Sequence, residues 1–125
     1  MSRLTNRFPH DFLQRYLGLM AQYIPGDTTL NQIRILQHIA FCSATGKSPP
    51  CNTEICKALE MPAPTVTRAI SSFIGAGIIS EEKDPQDGRK RFITINNSYR
   101  GDLDYKVMAL AKQCFGGNGV ASEIM

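Results

Sequence analysis

Residues 77–95 read Gly77-Ile78-Ile79-Ser80-Glu81-Glu82-Lys83-Asp84-Pro85-Gln86-Asp87-Gly88-Arg89-Lys90-Arg91-Phe92-Ile93-Thr94-Ile95. A glycine opens the stretch, and a short run from Ile78 to about Lys83 follows it. Asp84-Pro85-Gln86-Asp87-Gly88 is dense in residues that make turns. Arg91–Ile95 is rich in β-branched and aromatic side chains, which suit a strand. The pattern predicts a β-hairpin with proline, aspartate, glycine and arginine at its tip. A hairpin with a cationic tip needs a scaffold to aim it, so the flanking sequence decides what it is for.

Upstream, Pro62 to about Ala76 reads as a helix, because prolines at its start fit the first turn and would break an interior. Val66, Ile70 and Phe73 recur on one face, and Pro64, Thr65, Arg68, Ser71 and Ser72 fall on the other. Before it lies a short helix from Asn52 to Leu59, with Ile55, Ala58 and Leu59 as the inward face and Glu54 in the first turn. Two helices joined by a tight Met61-Pro62-Ala63-Pro64 connection predict a helix-turn-helix. A longer helix precedes this pair. Thr29 and Gln32 fit a capping box, and Leu30, Ile33, Leu36, Ile39 and Ala40 follow at helical steps. Gly46 and Pro49-Pro50 close it.

The outer segments are helical too. Phe8 to Ile24 carries Phe8, Phe12, Leu13, Tyr16, Leu17, Leu19, Met20 and Tyr23 at helical spacing, and Pro25-Gly26 stops it. After the hairpin, Asn96, Asn97 or Ser98 caps a last helix, about Tyr99–Cys114, whose stripe is Leu103, Val107, Leu110, Ala111 and Cys114. The expected fold is mainly α with a small β-hairpin wing: a winged helix-turn-helix with helical extensions at both ends. The 125 residues suit one domain. Within it, 28–96 is expected to be the winged-helix lobe, 8–25 and 98–115 its helical extensions, and 116–125 a loose tail.

Net charge is +3, and residues 83–100 alone account for a local excess of three positive charges. A basic cluster on one hairpin fits phosphate contact. Arg89 at the tip suits the narrow, electronegative minor groove. Lys90 and Arg91 beside it can neutralise phosphates. Arg68 can pair with guanine O6 and N7, and the hydroxyls of Thr65, Thr67, Ser71 and Ser72 suit phosphates or base edges. Enzymatic readings fail on inventory. The chain has no GxGxxG after a strand, P-loop, GxSxG or HExxH, and neither histidine stands in an activating pattern with a serine or cysteine. Cys42, Cys51, Cys56 and Cys114 are too scattered for a disulfide scaffold or a zinc site. No apolar run reaches the roughly 18–20 residues of a membrane span, and no signal peptide is visible. A cytoplasmic protein without metal or cofactor is expected.

Thr65-Val66-Thr67-Arg68, then Gly77-Ile78-Ile79, then Asp84-Pro85-Gln86-Asp87-Gly88-Arg89 resembles the MarR family of transcription regulators over about residues 8–115. The resemblance implies a homodimer on a pseudo-palindromic double-stranded operator, most often as a repressor. It implies that helix 62–76 enters the major groove and wing 84–91 the minor groove. It makes Arg89 the inserted arginine, Asp87 the acidic residue that orients the wing, and Thr65, Thr67 and Arg68 part of the contacting helix. It also implies a small-molecule effector, and in some members a redox-active cysteine, for which Cys42 is the nearest candidate. The chain departs from the pattern at Pro62-Ala63-Pro64 and Cys51, where hydroxyl residues are usual, at Ile74 and Ala76, where charges are common, and in a short last helix. These departures motivate an alternative: a winged-helix module for protein interaction. A protein of plasmid or replication control would use the same DNA contacts.

Overall fold

The computed structural model describes residues 2–115, with side chains from residue 9 onward. Five helices and one hairpin follow in the order α1 (Ser2–Met20), α2 (Leu30–Ala44), α3 (Asn52–Leu59), α4 (Ala63–Gly75), β1 (Ile79–Lys83), β2 (Arg91–Ile95) and α5 (Asn97–Phe115). The element order is the expected one. The chain divides into two compact units: residues up to Gly26 together with those from Gly101 on, and Asp27–Arg100. The expected loose tail, 116–125, lies outside the described residues.

In the first unit α1 and α5 run antiparallel. The Phe12 and Phe115 ring centroids are 5.2 Å apart at one end, and the Tyr23 hydroxyl donates to the Asp102 carboxylate at the other. Lys106 reaches the same carboxylate at 3.4 Å and lies over the Tyr23 ring. The helix α1 starts six residues before the expected Phe8 and passes through Pro9. It ends at Met20 rather than Ile24. Beyond Met20 the chain tightens: Gln22 N–H donates to Leu19 C=O and Tyr23 N–H to Met20 C=O. Pro25 disfavours helical geometry at Ile24, so the helix unwinds before it reaches that residue.

In the second unit α2, α3 and α4 pack together, and the hairpin lies against them. The core is Ile35, Leu36, Ile39, Ile55, Val66, Ala69, Ile70, Phe73, Ile78, Ile79, Ile93 and Ile95, all buried. The capping box of α2 is present: Gln32 N–H donates to Thr29 Oγ1, and Thr29 N–H donates to Gln32 Oε1. The inward stripe of α2 is rotated from the expected one. Leu30, in its first turn, is 72% exposed, and Ile35, which the stripe left out, is fully buried. Ala58 of α3 is likewise exposed rather than inward.

Three helices end alike. After α4, Ile78 N–H reaches back to Phe73 C=O and Gly77 N–H to Ile74 C=O. Gly77 sits at φ +76° to allow this, a conformation that costs a Cβ-bearing residue strain. Gly46 plays the same part after α2. After α3 the left-handed position falls to Glu60 at φ 54°. This closure sends the chain directly into β1 and fixes where the wing begins.

The hairpin register pairs Ile79 with Ile95 and Lys83 with Arg91. Ile79, Ile93 and Ile95 point into the core. Glu81 and Glu82, adjacent in β1, point to opposite faces.

Candidate nucleic-acid interface

The turn between the strands is organised by two aspartates. Asp84 Oδ1 accepts from Gln86 N–H at 2.8 Å, and Asp87 Oδ1 accepts from Arg89 N–H at 3.0 Å. Asp84 N–H donates to Lys90 C=O, and Lys90 N–H donates to Asp87 C=O. Asp87 therefore grips the backbone of Arg89, and no carboxylate among the described residues pairs with its guanidinium. The side chain of Arg89 is exposed. Lys90 lies over the Phe92 ring at 5.6 Å, and Arg91 pairs loosely with Glu81 at 3.7 Å.

Arg89, Lys90 and Arg91 share a cleft of about 180 Å³ with Cys51, Asn52, Thr53 and Glu81. Asn52 and Thr53 begin α3, where backbone N–H groups have no partner within the helix and the helix dipole is positive. Three cations, two polar side chains and a helix start thus converge on one small volume. Asn52 and Thr53 were not singled out from the sequence. Nothing local marks them, because they lie nearly forty residues before the wing. Glu81 stands in the same cleft and offsets part of its charge.

Cys51 is the N-cap of α3, with extended backbone. Its N–H donates to Glu54 Oε1 at 2.9 Å. That bond is the main cause that holds the Glu54 carboxyl below the ordinary carboxylate range, with Lys90 and Lys57 adding a smaller pull. A depressed folded pKa contributes stability that is complete above the ordinary carboxylate pKa and is lost as pH falls through the depressed value. Glu54→Ala should lower stability at neutral pH by at most about 1 kcal/mol, since the group is well solvated. The gap from the parent should close in acid, a trend that urea titrations at pH 7 and pH 3 would read.

The outer surface of α4 carries the other predicted residues. Thr67, Arg68, Ser71 and Ser72 are exposed, and Thr65 is half-buried. Arg68 and Ser71 lie one turn apart in the middle, Thr65 and Ser72 share one flank, and Thr67 shares the other with Ile74. Ile74 is 40% exposed. Arg68 makes no ion pair with Glu60; that carboxylate belongs to the residue that closes α3. Pro62 caps α4 with no side-chain hydrogen bond. Asp87, Arg89, Lys90 and Arg91 are thus gathered at the wing, and Thr65, Thr67, Arg68, Ser71 and Ser72 form a separate set on the helix.

His38 and Cys42, one turn apart on α2, bring Nε2 within 3.6 Å of Sγ, although no activating pattern of histidine with cysteine was expected. Cys42 is buried, and the four cysteines are free. Among the described residues no group of histidine, cysteine and carboxylate side chains could hold a metal ion, and no helix is long and apolar enough to cross a membrane.

No family model matches the chain, and no curated protein does. Solved structures do. S. aureus MepR bound to ethidium bromide is 19% identical, with a TM-score of 0.68 over 99% of this chain and 88% of that one. An S. aureus MepR–DNA complex is 20% identical, with a TM-score of 0.67 over 89% and 84%. The C80S mutant of E. coli MarR in complex with operator DNA is 21% identical, with a TM-score of 0.55 over 86% and 74%. From the hairpin register to the order of its helices, the chain therefore has the winged helix-turn-helix fold of the MarR-type regulators.

Proposed function

We propose that this chain is a sequence-specific, double-stranded DNA-binding transcription regulator, a repressor that works as a homodimer in the cytoplasm and performs no catalysis. The observation that carries this reading is the wing. Its tip arginine is locked through the backbone and has no carboxylate partner among the described residues, next to Lys90, Arg91 and the start of α3. Arg89 enters the minor groove, Lys90 and Arg91 neutralise phosphates, and Asp87 sets the turn. Asn52 and Thr53 hold a backbone phosphate at the helix start. Helix α4 enters the major groove with Thr65, Thr67, Arg68, Ser71 and Ser72. The fold of proteins crystallised with DNA supports the same use of these elements.

Fluorescence anisotropy against DNA that flanks its own gene, at several salt concentrations, tests the reading. Affinity should fall steeply with salt, by about one unit of slope per phosphate neutralised. Undetectable or salt-independent binding would favour the protein-interaction alternative, to which the exposed Ile74 on α4 lends some support. Arg68→Ala should cost about tenfold in discrimination at one base position and leave other positions unchanged. Binding to a panel of single-base operator variants reads that directly.

The dimer is assigned to segments 8–25 and 98–115, with 28–96 as the DNA-binding lobe. Leu13 and Leu17 on α1 and Tyr105 on α5 remain 48%, 58% and 76% exposed, more apolar surface than a lone helix pair needs to leave in water. Leu17→Glu should convert a dimer to a monomer at micromolar concentration, as light scattering would record. A small-molecule effector belongs to the same proposal.

A further inference from the structure

The face of the hairpin opposite the basic cleft opens on a second, larger cavity of about 470 Å³, within the range of roughly 300–1,000 Å³ of small-molecule sites. It lies between the end of α2, the loop after it and strand β2. Three features of its wall bear on what it holds.

The first is an open strand edge. Asn96 N–H donates to Ile78 C=O, and Asp84 N–H donates to Lys90 C=O. With the observed register, the peptide groups of Ile93 and Ile95 therefore turn away from β1. Ile93 N–H finds Pro50 C=O at 2.9 Å. Pro49 and Pro50 have no N–H to return, and no described residue takes up the Ile95 N–H. Both isoleucines and both prolines line the cavity. Its wall thus offers the donor and acceptors of a β-strand that lacks its neighbour.

The second is a pair of opposite charges that do not meet. Lys47 on the loop and Glu82 on β1 both line the cavity. Neither takes part in an ion pair among the described residues, and the Lys47 ammonium lies over the Phe41 ring at 5.4 Å. The third is a set of small polar side chains in the same lining, Ser43, Thr94 and Asn97, of which Ser43 accepts from the Arg100 guanidinium.

We propose that this cavity binds a short zwitterionic, peptide-like ligand of one or two amino acid residues. The ligand carboxylate pairs with Lys47, its ammonium pairs with Glu82, and its amide or main-chain atoms lie along the Ile93–Ile95 edge. Charge complementarity selects a molecule with both charges, and the strand edge selects one with peptide spacing. The site is separate from the DNA-contacting surface, so it stands whether or not the chain regulates transcription.

The test uses the full chain without DNA and alanyl-alanine as the probe, followed by ¹H–¹⁵N NMR. Saturable shifts at Ser43, Lys47, Thr94 and Ile95 are expected at concentrations up to about 10 mM, the scale of a few charge-assisted bonds. N-acetyl-alanyl-alanine and alanyl-alanine amide should each bind roughly fivefold or more weakly, since each lacks one charge. Lys47→Gln should abolish the penalty of amidation, and Glu82→Gln should abolish that of acetylation. Both side chains are exposed, so thermal melts should confirm that the variants fold. No saturable shift, shifts confined to other residues, or equal binding of the blocked and free dipeptides would each overturn the proposal.

Discussion

Arg89→Ala is expected to weaken binding to every DNA site by a similar factor, roughly 10- to 100-fold, and to flatten its salt dependence by about one unit of slope. The geometry of the turn makes this a clean test. The backbone N–H of Arg89, not its guanidinium, is held by Asp87, so truncation leaves the bonds that shape the hairpin intact. The lost group is a cation that no carboxylate among the described residues pairs with, at the tip of a narrow loop. Minor-groove edges carry a degenerate pattern of acceptors, and the loss should therefore be uniform across sequences, unlike that of Arg68→Ala. Anisotropy titrations of operator and scrambled duplexes at three or more salt concentrations measure both effects. Unchanged operator affinity would refute the role of the wing.

Phe73→Ala should produce the largest loss of stability. Phe73 is completely buried and is among the largest fully buried side chains. It sits on the inner face of α4, and its carbonyl accepts the Ile78 N–H that turns the chain into β1. Truncation of a buried phenylalanine costs about 3–5 kcal/mol, from lost burial and from the cavity left behind. Against a usual total of about 5–15 kcal/mol, that is a large share, and the thermal midpoint should drop by roughly 10 °C or more. The same cavity loosens the seat of α4, so DNA affinity should fall along with stability. Calorimetry and anisotropy on one preparation would show whether the two losses travel together, as the shared anchor requires. A midpoint within a few degrees of the parent would contradict the role of Phe73 as that anchor.

Much of the lobe was readable because its signals are local. Thr29 and Gln32 are three residues apart and cap α2 as expected. Val66, Ile70 and Phe73 repeat at helical spacing and are buried together. Arg91–Ile95 is a strand with the bounds its composition suggested. Errors arose where a neighbour distant in sequence decides. Leu30 has helical spacing yet lies exposed, and Ile35, between the expected inward positions, is buried. Periodicity locates a stripe to within about one residue's rotation, and packing against the other elements settles which edge of that stripe is covered.

The candidate site divides along the same line. The chemistry of the wing tip lies within Asp84–Arg91, and so does the geometry of its turn, because aspartate side chains bond backbone N–H groups two residues ahead. The sequence by itself therefore determined the order of elements, the glycine closures of α2 and α4, and a cationic hairpin. Tertiary structure alone brought the start of α3 to the wing and set Glu81 in the basic cleft. It also left Ile93 and Ile95 with an open edge against two prolines. Short-range order follows from hydrogen bonds and steric preferences within a few residues. Convergence of distant groups depends on how the buried faces fit, which is a property of the whole packed unit.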